Sequence, residues 1–177
     1  MLPADALELR LYPDPVLRTR AAPVVTVDEA LAARVRRMFD IMYEKRGIGL
    51  AAPQVGVSER VFVVNLSGDP DMPEDEKVFI NPEVRDAAGE CTEEEGCLSF
   101  PDIRLDVVRP ETVTIEATDL SGDRFTIEAD GWLARCVQHE FNHLDGILFV
   151  ARVSMTRRLM IRRQLKELEG RAEERSS

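Results

Sequence analysis

The chain contains two histidines, and both lie in the ten-residue segment V-Q-H-E-F-N-H-L-D-G at positions 137–146. Residues four apart share one face of an α-helix, so His139 and His143 can direct both imidazoles at one metal ion. Glu140 is turned by about 100° around such a helix, which leaves its carboxylate near the ion and able to act as a base. A chance match on a surface helix is the alternative, but the apolar residues around the histidines favour a buried face. The fold must therefore bring a further ligand to this helix.

The third ligand has to come from another segment, because a catalytic metal site keeps three protein ligands and one position for water. The side chains that the sequence leaves open are those of Glu93, Glu94, Glu95 and Cys97. We favour Cys97, since a turn at Gly96 would hold its thiolate beside backbone amides. One thiolate and two imidazoles form a ligand set that suits zinc. The other two cysteines, Cys91 and Cys136, are interpreted as small buried hydrophobic residues.

Such a site favours metal-assisted hydrolysis of an amide. An ion with one open position lowers the pKa of a bound water to about 7. Glu140 could take a proton from that water and pass it to the leaving nitrogen. The oxyanion needs hydrogen-bond donors, and the Gln54 side chain and the backbone N–H of Leu98 are candidates.

The remaining pattern predicts one domain, residues 1–177, of the α+β class. Thr26 and Glu29 form a capping box for an amphipathic helix that should end near Gly47. Alternating residues on both sides of Ser121-Gly122 predict a β-hairpin, and Asp130 can cap the helix that carries the histidines. We expect small antiparallel or mixed sheets around this central helix, with an N-terminal helix and a C-terminal helix at 155–177. Buried strands are predicted at Val61 to Leu66 and at Val78 to Ile80.

Charge and cysteine content restrict the class of protein further. The net charge of -10 argues against DNA as a partner, because phosphate binding needs a basic surface. Three cysteines, an odd number, argue against a disulfide framework. No apolar run approaches the length of a membrane span, and the start M-L-P-A-D-A-L-E-L-R lacks the features of a secretory or transit sequence. We therefore expect a cytoplasmic protein without a membrane segment.

Three separated motifs resemble those of the peptide deformylases. Gly47–Gln54 is similar to the family's G-x-G-x-A-A-x-Q motif, Glu95–Ser99 to E-G-C-L-S, and Gln138–Leu144 to Q-H-E-x-D-H-L. The motifs occur in the family's order, and the resemblance covers most of the chain. It implies removal of the formyl group from the formyl-methionine of newly made polypeptides, with release of formate.

The resemblance also implies roles for individual residues. The implied metal ligands are Cys97, His139 and His143, with Glu140 as the acid–base and Gln54 and the Leu98 N–H as oxyanion donors. Gly49 would bind the substrate backbone as a strand-like partner. The methionine side chain would lie near Ile48, Leu98, Cys136 and the ring of His139. Iron(II) is the metal that the resemblance implies, with nickel, cobalt or zinc also accepted.

Two positions depart from the family's pattern. Asn142 stands where the family usually has Asp, whose carboxylate commonly faces the arginine that corresponds to Arg109. The change keeps a hydrogen-bond acceptor and removes a charge, so we expect an active enzyme with altered surroundings of the metal. Arg135 stands at a usually apolar position of the pocket, and the sequence leaves open whether it turns outward or polarises the pocket mouth.

The last predicted helix, from about Met155, is rich in arginine against an acidic chain. A solvated amphipathic helix explains this pattern without any partner. Contact with ribosomal RNA is the functional interpretation, which the resemblance to bacterial members supports.

Two other functions compete with the deformylase interpretation. A metallopeptidase that cuts internal peptide bonds would use the same ligands. A non-catalytic metal-binding or ribosome-associated protein would not need Glu140 or Gln54.

Overall fold

A computed structural model describes residues 2–176, with side chains through residue 172, so both end residues of the predicted domain lie outside the described part. The helices are α1 (Glu29–Glu44), α2 (Gly131–Leu144) and α3 (Met155–Ser176). The strands are β1 (Gly49–Ala51), β2 (Val61–Val64), β3 (Lys77–Ala88), β4 (Cys91–Cys97), β5 (Phe100–Arg109), β6 (Thr112–Thr118) and β7 (Arg124–Ala129). The predicted α+β class is confirmed.

Two sheets lie around α2. Five strands form one sheet in the order β1-β2-β3-β6-β7, and β4 pairs with β5 in the second. Neighbouring strands in both sheets run antiparallel. The apolar face of α2 packs on the larger sheet, where Val137 and Leu144 join a core with Phe62, Phe79 and Ile115. The opposite face of α2 carries the two histidines, and it contacts β4 of the smaller sheet.

The flanking helices close the ends of the structure. α1 buries Leu31, Val35 and Met38 against β1 and β2. α3 packs beside β5 through Ile161 and Leu168, in the same core as Phe149. Within the described residues, no helix combines the length and the apolar character needed to cross a membrane.

The start of α1 differs from the prediction. Asp28, not Thr26, is the capping residue, and its Oδ1 accepts a hydrogen bond from the Leu31 N–H at 2.8 Å. Both residue types are good caps. The helix therefore begins at Glu29, two residues later than a cap at Thr26 would place its start.

The strand β3 is longer than predicted. The sequence indicated only Val78 to Ile80, whereas the strand continues to Ala88 and pairs with β6 along its outer half. Residues 83–88 are exposed and include charged side chains, so no hydrophobic signal marked them. Their backbone hydrogen bonds to β6 keep them in the sheet.

Candidate active site

The helix α2 aligns three of the site's side chains at intervals of one turn. Arg135, His139 and His143 are each four residues apart, and all three are buried. The predicted start at Gly131 after Asp130 is correct, although the Asp130 side chain makes no capping hydrogen bond. His139 and His143 present Nε2 atoms 3.3 Å apart.

The strand β4 brings the third candidate ligand to the helix. Glu95 and Cys97 are two residues apart on β4, and both side chains contact α2, Glu95 at His139 and Cys97 at His143. Cys97 Sγ lies 3.3 Å from His143 Nε2. The other two open candidates, Glu93 and Glu94, are exposed on β4.

The three candidate ligands fit one tetrahedral metal ion. Atoms of Cys97, His139 and His143 lie within 4.8 Å of one another. Metal bonds of about 2.0–2.3 Å in a tetrahedral site separate neighbouring ligand atoms by roughly 3.3–3.8 Å. The Sγ···Nε2 and Nε2···Nε2 distances of 3.3 Å match that spacing.

The electrostatics of the centre favour one positive charge there. Burial lowers the pKa of His139, but hydrogen bonds to Cys97 and Glu95 outweigh it and raise the pKa to about 10. Burial, followed by the charge of His139, lowers the pKa of His143 well below its usual range. A divalent ion could occupy the place of that charge, with both imidazoles neutral.

A carboxylate orients the first histidine. His139 Nδ1 lies 3.0 Å from Glu95 Oε2, and a carboxylate only accepts hydrogen bonds, so Nδ1 carries the proton. The Nε2 lone pair is therefore free on the side of the other candidate ligands, the arrangement found in metal-binding histidines that are backed by a carboxylate. Glu95 is thus placed to orient the candidate ligand His139, and it is not among the three residues grouped as candidate ligands.

Arg109 holds Glu95 in this position. Arg109 lies at the end of β5, a strand whose alternate residues are buried. Its Nε donates to Glu95 Oε1 at 2.5 Å and its Nη2 donates to Glu95 Oε2 at 2.8 Å. Its Nη1 donates to Asn142 Oδ1 at 2.8 Å. Burial would raise the pKa of Glu95, but the hydrogen bonds from Arg109 and His139 outweigh it and lower the pKa to about 2.

Arg135 does not turn outward. It lies along the cleft but is buried, and its Nη1 donates to Glu95 Oε1 at 2.6 Å and to the Val107 carbonyl at 3.0 Å. Its Nη2 donates to the Cys91 carbonyl at 3.0 Å. Glu95, Arg109, Arg135 and Asn142 therefore form one buried network, named here the Glu95 cluster. The resemblance had paired position 142 with Arg109, which the 2.8 Å contact confirms. The links through Glu95 and Arg135 were not predicted, because no local pattern relates β4, β5 and α2.

Glu140 lies beside the candidate ligands with its carboxylate poorly solvated. It is 4 % exposed, and its Oε2 has no hydrogen-bond partner among the described residues. Burial raises the pKa of this carboxyl to about 7. A Cβ on Gly49 would lie 2.7 Å from Glu140 Oε1, so only glycine leaves room there for the carboxylate. A carboxyl with a pKa near neutrality is suited to accept and return a proton.

The Gln54 side chain points its amide nitrogen at the centre. Its Oε1 accepts a hydrogen bond from the Ala51 N–H at 2.8 Å, which fixes the amide's orientation. Its Nε2 then lies 3.5 Å from Cys97 Sγ and 3.2 Å from Ser99 Oγ. Leu98 lies in the turn between β4 and β5, directly after Cys97. Both predicted oxyanion donors are therefore near the candidate ligands.

A cleft of about 1390 Å³ opens over this centre. Its walls include Ile48, Leu98, Cys136 and His139, the four residues predicted to surround the methionine side chain. Gly49 of β1 also borders the cleft, and β1 is at the edge of the larger sheet. The cleft is large enough for several residues of an extended peptide.

The fold and this arrangement of side chains define a metal-dependent hydrolase. The sequence profile of the family described as polypeptide deformylase matches residues 6–159. The chain belongs to this family. Its members are metal-dependent hydrolases that remove the N-formyl group from newly made polypeptides, and the recognition made from three motifs is confirmed.

Individual relatives agree with this assignment. A peptide deformylase from Neisseria meningitidis is 50% identical over 161 residues, which cover 91% of this chain and 95% of that protein. A peptide deformylase from Acidobacterium capsulatum is 47% identical over 162 residues, which cover 92% of this chain and 95% of that protein. A crystal structure of the peptide deformylase from Plasmodium falciparum has a TM-score of 0.93 at 40% identity and covers 96% of this chain and 99% of that one.

Proposed function

We propose that this chain deformylates nascent polypeptides at the centre formed by Cys97, His139 and His143. The observation that carries this proposal is the spacing of 3.3 Å between their ligand atoms, beside a buried carboxylate of raised pKa. A divalent ion bound there would lower the pKa of a water to about 7 and polarise the formyl carbonyl. The chain's other groups would then orient the substrate and move protons.

Glu140 is the acid–base in this proposal. Its buried carboxylate takes a proton from the attacking water and gives it to the amide nitrogen that leaves. The raised pKa of Glu140 supports both steps, because the group can be charged before attack and neutral after it. Proton transfer of this kind contributes about 10²- to 10⁴-fold to a rate.

Gln54 and the Leu98 N–H are the donors to the developing oxyanion. The bond from the Ala51 N–H to Gln54 Oε1 directs Nε2 towards Cys97 Sγ, 3.5 Å away, while Nε2 also donates to Ser99 Oγ at 3.2 Å. A donor that is held in place before the reaction needs no reorganisation when charge develops. This geometry supports Gln54 as the stronger of the two assignments.

The cleft would bind the substrate as an extended peptide. Gly49 on the edge strand β1 would pair with the peptide backbone. Ile48, Leu98 and Cys136 would surround the methionine side chain, next to the ring of His139. Cys136 is suited to this wall, because burial raises the pKa of its thiol well above the usual range and keeps it neutral.

Iron(II) is our proposal for the physiological metal, with zinc, nickel or cobalt as substitutes. The ligand set alone would favour zinc, since iron(II) binds more weakly in the Irving–Williams series. The choice of iron therefore rests on family resemblance. Metal analysis of protein purified without oxygen tests it, and zinc in nearly every site with full activity would contradict it.

The ribosome is the second proposed partner, which places the activity in the cytoplasm. Arg162, Arg163 and Lys166 are exposed on α3 beside Leu159, forming a basic surface in which Glu167 pairs with Arg163 at 2.9 Å. Arg157 and Arg158 instead bind Asp106 and the carbonyls of Val150 and Ala151, so they anchor the helix.

Co-sedimentation with ribosomes tests this surface. Replacing Arg162, Arg163 and Lys166 by Ala should reduce binding. The control variant replaces Arg85 of β3 and Arg124 of β7, exposed arginines that both pair with Glu116, by Ala and should bind normally. Equal binding by both variants would contradict the proposal.

Formate release from formyl-Met-Ala-Ser by the anaerobic, iron-loaded protein tests the main proposal. We expect formate with the peptide intact, and a loss of about 10²- to 10⁴-fold in Glu140→Ala at unchanged metal content. Cleavage within the peptide would instead indicate a protease. Absence of turnover in a fully loaded protein would indicate a metal-binding protein without this activity.

A further inference from the structure

The Glu95 cluster carries a surplus positive charge next to the candidate metal centre. Arg109 and Arg135 contribute two positive charges, Glu95 contributes one negative charge, and Asn142 is neutral. None of the four residues is more than 7 % exposed. Buried charges are screened by salt much less than exposed ones, so this surplus acts on its neighbours.

Arg109 by itself is enough to orient Glu95. Arg109 binds the Glu95 carboxylate in a bidentate manner, with Nε 2.5 Å from Oε1 and Nη2 2.8 Å from Oε2. Arg135 adds a single further bond to Oε1, and its remaining contacts go to backbone carbonyls. Arg135 therefore adds charge to a carboxylate that is already in place.

Glu95 connects this charge to the metal position. Its Oε2 accepts the hydrogen bond from His139 Nδ1. A carboxylate in this position makes the histidine a stronger electron donor to its metal. Two guanidinium groups on the same carboxylate draw electron density away and reduce that donation. The surplus charge also repels a divalent cation directly.

We propose that Arg135 acts through Glu95 and His139 to loosen the bound metal ion and to make it a stronger Lewis acid. This inference rests on the proposed ligands Cys97, His139 and His143. Arg135 is a positioning residue, since it touches neither the ligand atoms nor the reacting groups. Asn142 preserves its effect, because a carboxylate there would neutralise the surplus.

Two independent substitutions remove the surplus charge. Arg135→Gln replaces the guanidinium by a neutral amide that still donates hydrogen bonds. Asn142→Asp adds a negative charge opposite Arg109 and removes no acceptor. Cobalt(II) affinity of the metal-free protein, measured by competition with a chelator, and the absorption spectrum of the cobalt protein report on both variants.

We expect both variants to bind cobalt(II) at least about tenfold more tightly than the wild type, within the range by which changes beyond the direct ligands alter metal affinity. Arg135→Lys keeps the charge and should stay within about threefold of the wild type. Arg104→Gln is the matched control: Arg104 lines the same cleft but is exposed, 3.7 Å from Glu94. The cobalt(II) affinity of Arg104→Gln should equal that of the wild type.

Unchanged or weaker cobalt binding in both variants overturns the inference, because a purely structural role of Arg135 predicts loosening. If Arg135→Gln fails to fold, as judged by circular dichroism, Asn142→Asp decides alone. The metal centre has its own test: one cobalt per wild-type chain, with a thiolate-to-cobalt band that Cys97→Ala abolishes. Failure there would overturn the proposed ligands, and the inference with them.

Discussion

Replacing Gly49 by Ala would move the carboxylate of Glu140 while leaving Glu140 itself unsubstituted. The new Cβ would lie 2.7 Å from Glu140 Oε1, 3.1 Å from its Cδ and 2.7 Å from Cys136 Sγ. Because ordinary contact begins at 3.4 Å, the carboxylate has to move by about 0.7 Å, and a misplacement of about 1 Å can cost about 10²-fold in rate. We expect kcat/KM to fall by about 10- to 100-fold, which is about 1.4–2.7 kcal/mol in the barrier.

Formate release from formyl-Met-Ala-Ser measures this effect, with metal content determined on the same samples. Gly96→Ala is the matched control, because a Cβ at Gly96 in the same cleft would meet nothing closer than Arg104 at 3.7 Å. We expect the control to change kcat/KM by less than about threefold, a barrier difference below about 0.7 kcal/mol. Wild-type kcat/KM in fully loaded Gly49→Ala would refute the assignment of Glu140 as the base at this position.

Further predictions concern the same centre. Gln54→Leu should lower kcat by about 10²- to 10³-fold, as the loss of one oxyanion donor does elsewhere, with metal content unchanged. Asn142→Asp at full metal loading should lower kcat by less than about tenfold, or 1.4 kcal/mol, and a larger loss would contradict the assignment of Asn142 to a supporting role. Burial raises the pKa of Glu140 to about 7 and a bound cation opposes that rise, so kcat/KM should be lost as the pH falls through a midpoint at or below about 7. This acidic limb of the pH profile should disappear in Glu140→Ala. Removal of the metal by a chelator should lower the melting temperature, because an ion that binds only the folded chain stabilises it; an unchanged melting temperature would count against the site.

Helix geometry explains why part of the site was predictable. His139, Glu140 and His143 belong to one helix, so their relative positions follow from helical periodicity alone. Cys97 was chosen among four candidates by its local residues, and the structure brings it to His143. Gln54 and Leu98 came from motifs, and their approach to Cys97 depends on the packing of β1 and the turn after β4.

Other features depend on contacts that no local pattern encodes. The cap of α1 was assigned to Thr26, because two good capping residues lie within three positions and their residue types do not distinguish them; the structure has Asp28 as the cap. The outer half of β3 has an exposed, charged sequence and is held by its partner strand. The orientation of Arg135 was left open, since it depends on Glu95, 40 residues away in the sequence.

The sequence by itself determined the reaction class, because the pair of histidines, the intervening glutamate and two further motifs carry the metal chemistry in short segments. The tertiary structure decided how that chemistry is tuned. Only the approach of β4, β5 and α2 brings Glu95, Arg109, Arg135 and Asn142 into one buried network. The physical reason is that hydrogen bonds and charge interactions act over a few ångströms in space, whereas sequence patterns report only on neighbours along the chain.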